Sequence, residues 1–324
     1  MALVRAMVLA YEARGMDPSG VLQQAQITPA QLKKPDARIT ATQMEVISGA
    51  AMRELDDEGL GCFSRALPWG SYGLLARASL SSPTLGLALK RWCRHHALLA
   101  PDTTLTVEVE GEVASISLHL HRDPGSMTEL CAVSLLRNIH GLASWYVDSR
   151  VALLGAQFPY AAPRHAQAYA VLFEGPTRFE AAHAAIHFDA RYLNLPVRRD
   201  EAAMNQLLQR ALPLTVRSYR RDRLLVQRVR QLLANRPQDT HNANELAALL
   251  NTSPRTLHRQ LKDEGASLQK LKDEVRRQLA TEMLLRTQRP IKQVAEAAGF
   301  QNEKSFNRAF KGWTGQSPGD FRSQ

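Results

Sequence analysis

Residues 243–263 read ANELAALLNTSPRTLHRQLKD, residues 291–313 read IKQVAEAAGFQNEKSFNRAFKGW, and the second stretch repeats the plan of the first. In the first, Ala247 is small where two helices must approach, Leu250 and Leu257 are apolar where they pack, and Ser253-Pro254 offers an N-cap followed by proline at the first helical position. Two short amphipathic helices joined by a tight turn make a helix-turn-helix. A single Ala/Leu helical hairpin also occurs as plain core packing, so one copy decides little. In the second stretch Ala295 follows Ala247 at a separation of 48, whereas Arg308 and Phe310 follow Arg259 and Leu261 at 49. The extra residue therefore belongs in the turn, where Gly299 supplies permissive backbone and Asn302 caps the next helix. Phe306 and Phe310 give that helix its buried face. A duplicated unit of this kind is far more specific than either copy.

Between the copies, residues 267–287 predict one continuous helix with Leu268, Leu271, Val275, Leu279 and Met283 on a single face. At about 1.5 Å per residue such a helix is roughly 30 Å long, close to the ~34 Å that separates successive major grooves on one side of DNA. One chain could then present two recognition helices to one duplex. The alternative is a helical bundle that happens to be basic.

Charge bears on that choice. The chain of 324 residues carries a formal +10, and the excess is confined: residues 1–216 hold 20 Lys+Arg and 20 Asp+Glu, whereas residues 217–324 hold 21 and 11. A basic domain attached to a neutral one is the footprint of a polyanion binder. Helical patterning over 201–211, then Pro213, then a basic stretch from Arg217 to Arg223 place a boundary near 212–220. The division is a regulatory domain over 1–212 and a DNA-binding domain over 213–324.

The first domain mixes two periods. Leu105, Val107 and Val109 alternate with polar residues, Glu110-Gly111 supplies a turn, and Ile116, Leu118 and Leu120 alternate again, which predicts a hairpin. A helix is expected from Met127 to about Tyr146 and a short strand at 185–188. The fold class is therefore an α+β N-terminal domain followed by an all-α C-terminal domain with two helix-turn-helix motifs joined by a long helix.

The doubled motif, the linking helix and the closing stretch GFQNEKSFNRAFKGWTGQSPGDFR resemble the DNA-binding domain of the AraC/XylS family over about residues 220–322. Ala297-Ala298-Gly299-Phe300, the run at 306–310 and Gly315 to Pro318 carry the likeness. LPWGSYGLLARASLSSPTLGLALKRW at 67–92 and FEGPTRFEAAHAAIHFDARYL at 173–193 resemble the arabinose-binding-type effector domain of one subgroup, over roughly 20–200. The resemblance implies a bacterial, cytoplasmic transcription regulator, an activator that binds double-stranded DNA and contacts RNA polymerase. It also implies a small-molecule sensor, whose ligand differs among relatives, and a possible homodimer.

On the first recognition helix Leu257 and Leu261 define the buried side, so Arg255, His258 and Arg259 face DNA, at positions where the family resemblance also implies base contacts. Arginine pairs bidentately with guanine O6 and N7, and histidine donates to a purine acceptor or a phosphate; phosphate contact alone is the other reading for one arginine. On the second, Glu303, Lys304, Asn307 and Arg308 are left toward DNA. Glu303 either accepts from cytosine N4 or merely favours the helix N-terminus. The resemblance implies that the first motif contributes more base specificity.

Candidate effector contacts are Trp69, Tyr72, Trp92, Trp145 and Tyr160, amphipathic aromatics that line pockets when they do not simply fill a core. Arg137 and Glu129 read as contacts to a polar effector or as a surface ion pair. His119 and His121 share one strand face without a third ligand nearby, and His95-His96 point apart, so no metal is assigned. Cys62, Cys93 and Cys131 are mutually distant, which excludes a zinc knuckle and a Cys-x-x-Cys pair and speaks against the alkyl-transfer DNA repair proteins that share AraC-like segments. Phosphate loops, nucleophile elbows and His-Glu-x-x-His are missing from the sequence, so no enzyme and no cofactor is expected. No apolar run approaches a membrane span. A DNA-binding protein without effector, global or architectural, is the remaining alternative.

Overall fold

The computed structural model describes residues 1–34, 37–209, 224–240 and 242–322. It divides into two compact units, Met1–Arg220 and Arg221–Gln324. The boundary expected near 212–220, with Pro213 and the basic stretch 217–223, lies outside the described residues.

The first unit opens with helices α1 (Ala2–Glu12), α2 (Ser19–Gln24), α3 (Pro29–Lys33) and α4 (Ala41–Glu54). Thr28 and Thr40 begin α3 and α4 by one device: each hydroxyl accepts from the N–H of Gln31 or Gln43, and the glutamine oxygen accepts from the threonine N–H at 2.8 and 3.0 Å. Helices α5 (Ser71–Leu80) and α6 (Leu85–Leu99) lead into β1 (Thr103–Glu110) and β2 (Val113–Leu120). Then come α7 (Thr128–Tyr146), β3 (Leu153–Gln157), α8 (Tyr169–Phe173), β4 (Thr177–Arg178), β5 (Ala184–Asp189) and α9 (Glu201–Gln209).

The strands form one sheet in the order β1-β2-β5-β3-β4, antiparallel except where β3 meets β4. Leu105 faces Leu118 and Val107 faces Ile116, so the alternating apolar residues do share a face. The turn is displaced by one residue from Glu110-Gly111. Glu110 still pairs with Val113, and Gly111 takes φ +59° as the first central residue of a two-residue hairpin loop, where glycine meets no steric penalty. Strand β5 extends one residue beyond 185–188 at each end. Helix α6 packs on β1 and α7 on β2 and β5. Helix α7 is buried along nearly all its circumference, as a core helix must be when it is apolar on every side.

The second unit is helical throughout its described residues: α10 (Leu224–Asn235), α11 (Ala243–Leu249), α12 (Pro254–Asp263), α13 (Leu268–Arg286), α14 (Ile291–Ala297), α15 (Glu303–Thr314) and α16 (Pro318–Arg322). Helix α13 is the linking helix, capped by Ser267 and closed at Thr287. Its five expected apolar residues do share a face, but a second buried stripe lies opposite them. Leu268, Leu271 and Val275 are buried in the core of the first motif, Ala280 and Leu284 in that of the second. At about 100° per residue, Leu271 and Ala280 point to opposite sides of the helix. Leu279 and Met283 continue the spacing of Val275 and are partly buried, Leu279 against the first core and Met283 against the second. One helix thus serves two cores on opposite faces.

Candidate nucleic-acid interface and effector cavity

In the first motif Asn242 caps α11 by accepting from the N–H groups of Asn244 and Glu245 at 2.9 and 3.0 Å, and Ser253 Oγ accepts from the N–H of Thr256 at 3.1 Å to start α12. Leu246, Ala247, Leu250, Leu257 and Leu261 close over Val226, Val229 and Leu233 of α10. The end of α12 is tied back to the start of α10, because the Glu264 carboxylate accepts from the Leu225 and Val226 N–H groups at 3.3 and 2.8 Å. With Leu257 and Leu261 fully buried, Arg255, His258 and Arg259 stand exposed.

In the second motif Asn302 Oδ1 accepts from the Ser305 N–H at 2.8 Å to begin α15, and Phe306 and Phe310 are fully buried beside Val294, Ala295 and Ala298. Glu303, Lys304 and Arg308 are exposed. Asn307 is not: it is half-buried, and its Oδ1 is shielded from solvent with no hydrogen-bond partner among the described residues. One residue beyond Phe306 on the helix, it lies at the margin of the core. None of Arg255, His258, Arg259, Glu303, Lys304 and Arg308 is tied to another described residue. Arg230, Arg236 and Arg286 in the same unit are all in ion pairs.

The two turns show where the additional residue went and what the sequence reading missed. Asn251 takes φ +52° and Gly299 φ +79° at a separation of 48, whereas the caps Ser253 and Asn302 are 49 apart. The first copy thus uses asparagine, the side chain most tolerant of the left-handed region after glycine, where the second uses glycine.

In the N-terminal unit a cavity of about 640 Å³ lies against α4, α5, α7 and the segment 58–72. Met7, Met44, Leu60, Phe63, Leu130 and Leu142 give it largely apolar walls. The structure divides the five aromatics singled out in the sequence. Trp69 and Tyr72 are on the wall; Trp69 is 43% exposed, with the Arg53 guanidinium 4.6 Å above its ring. Trp92 lies behind, fully buried and stacked on Tyr72 at 6.0 Å, with a shielded Nε1 lacking a partner among the described residues. Trp145 sits beneath the Arg199 guanidinium, and the Tyr160 hydroxyl meets that of Tyr169 at 2.9 Å; neither lines the cavity.

Arg137 does line it, buried rather than in a surface pair, and burial pulls its pKa down to about 10. Glu129 instead accepts from the Tyr169 hydroxyl at 2.7 Å and pairs with His165 at 2.6 Å. Cys62 and Cys131 meet on the cavity wall, where the contact with Cys131 and burial push the Cys62 thiol well up. Their distance in sequence hid that meeting. The His119 ring lies 4.7 Å from that of His183, tilted by 35°, and His121 bonds Thr104 at 2.7 Å. Among the described residues no group of three or more His, Cys, Asp or Glu side chains is placed to hold a metal.

The rim of the cavity depends on residues that the sequence reading passed over. Asp57, 1% exposed, accepts from the N–H groups of Gly59, Gly61 and Leu67 at 2.9, 2.8 and 3.0 Å and from the Arg14 guanidinium at 2.6 Å. Glu58 accepts from the Gly70 and Tyr72 N–H groups at 2.9 and 2.7 Å; burial raises its pKa while those two bonds act in the opposite direction. Asp56 holds the Trp69 N–H at 2.9 Å. The signal was three consecutive acidic residues followed by Gly59 and Gly61.

Residues 15–197 match the family model described as the arabinose-binding domain of AraC transcription regulator, N-terminal, and residues 246–324 match a helix-turn-helix domain model. The first match alone covers more than half of the chain. The chain belongs to the AraC family of transcription regulators. It is similar to the ornithine utilization regulator of Pseudomonas aeruginosa, 27% identical over 95% of this chain and 91% of that protein. It is also similar to the HTH-type transcriptional regulator VqsM of Pseudomonas aeruginosa, 30% identical over 78% of this chain and 79% of that protein. Among solved structures, transcriptional regulator CdpR from Pseudomonas aeruginosa aligns over 97% of this chain and 98% of its own at 23% identity and a TM-score of 0.36. This AraC-family member is a DNA-binding transcription regulator and not an enzyme. No described helix is long and apolar enough to cross a membrane.

Proposed function

We propose that α12 and α15 enter successive major grooves on one side of a nonpalindromic site, with Arg255, His258 and Arg259 reading bases from the first and Lys304, Arg308 and Glu303 contacting bases or phosphates from the second. The observation that carries this reading is the recurrence, on both helices, of exposed charged side chains without a partner among the described residues, opposite a fully buried apolar face. An exposed arginine held by no neighbour is ready for guanine or phosphate. Asn307 joins the contact only if docking draws its amide out of the core margin. The regulatory domain ends within 212–220, the protein acts in the cytoplasm, and activation proceeds by contact with RNA polymerase, with pairing of two chains as a further level of control.

The cavity is the effector site in this reading. Its volume suits a small organic molecule, and its walls favour one with a large apolar part. An effector changes activity only by preferring one state of the protein over another.

Selection of bound duplexes from a random-sequence pool by the full-length protein tests the DNA reading. An asymmetric motif spanning about two helical turns supports it; retention of all sequences alike points to an architectural binder and overturns it. A screen of small apolar compounds for a thermal shift of the wild type, absent from a Ser134→Phe variant that obstructs the cavity, tests the effector site.

A further inference from the structure

The two motifs have separate cores and share α13, yet a second connection joins them away from that helix. The chain leaving α10 makes a short turn at Pro237–Asp239, braced by the Arg236–Asp239 ion pair and by the buried Thr240 hydroxyl donating to the Arg236 carbonyl at 3.0 Å. This turn belongs to the first motif but rests on the second. The Gln238 side-chain amide donates to the Glu296 carbonyl, at the end of α14, at 2.6 Å. At Gly299 a Cβ would stand 3.1 Å from the Pro237 carbonyl oxygen and 3.6 Å from Arg276 Nε. Arg276 reaches out from the middle of α13, and its guanidinium lies 4.8 Å over the ring of Phe300.

We infer that Gln238, Gly299 and Arg276 form a clamp that fixes the angle between the two recognition helices and so sets the spacing between half-sites that this regulator accepts. The mechanical reason is local. Helix α13 alone would leave the second motif free to roll about one line of contact. The turn at 237–239 adds contact at a different place, directly on the bend between α14 and α15, so rolling would have to break the Gln238 bond and separate Pro237 from Gly299. Gly299 thereby serves twice: its φ of +79° ends α14, and its bare Cα lets the first motif's backbone approach. A one-base-pair insertion between half-sites turns the second by about 35° around the DNA axis. A clamped reader cannot follow that rotation.

The inference rests on the reading that α12 and α15 meet one duplex, and its test separates the two. Nitroxides are placed through Gln260→Cys and Lys311→Cys, exposed positions on α12 and α15, in the full-length protein; Cys62, Cys93 and Cys131 are buried. Pulsed electron spin resonance without DNA should give one narrow distance distribution, which broadens in Gln238→Ala/Arg276→Met. A narrow distribution in both proteins, or a broad one in both, overturns the clamp whatever the protein does with DNA. Gln238→Ala alone removes only an exposed side chain and should broaden the distribution in part. On the duplex recovered by selection, one inserted base pair should weaken the wild type at least tenfold and the double variant under threefold. Equal losses would overturn the link from clamp to spacing, and a footprint confined to one groove would overturn the two-groove reading while leaving the distance result standing.

Discussion

The Arg137 guanidinium donates to Nδ1 of His140 at 3.1 Å, while His140 Nε2 meets the Val151 carbonyl at 2.7 Å. Arginine has only donors, so Nδ1 must accept and the proton resides on Nε2. A doubly protonated imidazole could not keep this arrangement. Burial, reinforced by the Arg137 charge, pulls the His140 pKa down to about 4, and burial pulls His96 down to about 4 as well. Both folded values lie below the ordinary histidine value of about 6.5. Their contribution to stability is therefore complete above about pH 6.5 and is lost as the pH falls toward 4. The full loss is on the order of 3 kcal/mol for each histidine. Thermal melts between pH 7 and 4.5 should show this decline, and His140→Gln, which can still accept from Arg137 and donate to Val151, should remove roughly half of it, the His96 share remaining. Parallel pH profiles for the wild type and the variant would assign the decline elsewhere.

Asp57→Ala should be among the most destabilising single changes in the N-terminal unit. It removes a buried carboxylate that satisfies three backbone N–H groups and one guanidinium. Stranding such groups costs roughly 3–5 kcal/mol. Because the same carboxylate shapes the segment that forms the cavity rim, effector-induced thermal shifts should also vanish. Asp56→Asn, which keeps an acceptor for the exposed Trp69 N–H and tolerates the φ of +44°, should cost under about 1 kcal/mol. Similar melting points for the two variants would refute this ranking.

Legibility followed the range of the forces involved. The hairpin, the caps at Ser253 and Asn302 and the buried faces of α12 and α15 depend on residues within a few positions of each other, and the sequence exposes them directly. On helix α13 the long apolar stripe was legible, but Ala280 and Leu284 on the opposite side went unread, because two buried residues make too short a pattern to show without the second core they fill. The strands β3 and β4 went unread, being short and set by pairing with β5 and with each other. The cavity was half legible. Trp69 and Tyr72 could be named as aromatics with polar tips, but the depth of Trp92 and the positions of Trp145 and Tyr160 depend on partners far along the chain, as does the meeting of Cys62 with Cys131.

The turn of the first motif offers a direct test of backbone strain. Asn251 occupies the left-handed region at φ +52°, which costs a β-branched residue about 1–2 kcal/mol. Asn251→Val should destabilise the DNA-binding unit by about that amount, whereas Asn251→Gly should be neutral within about 0.5 kcal/mol. Chemical denaturation of the full chain, followed through the transition of this unit, measures both. Equal effects of valine and glycine would mean that the side chain of Asn251, rather than its backbone angle, is what the turn needs.

Arg259 and Arg308 occupy corresponding places in the two motifs, both exposed and neither held by another described residue, so their loss compares the two recognition helices on equal terms. Arg259→Ala should relax preference at one base-pair position by about 1–3 kcal/mol if its contact is bidentate to guanine, with other positions unchanged. A phosphate contact would instead weaken all sequences alike and make the salt dependence of binding shallower by about one counterion. Arg308→Ala should weaken binding with the smaller change in base preference, since the first motif is expected to supply more of the readout. Titrations of each variant against the selected duplex and its single-position mutants, repeated at two salt concentrations, separate these outcomes. A sharper loss of base preference from Arg308→Ala than from Arg259→Ala would reverse the assignment and make the second motif the principal reader.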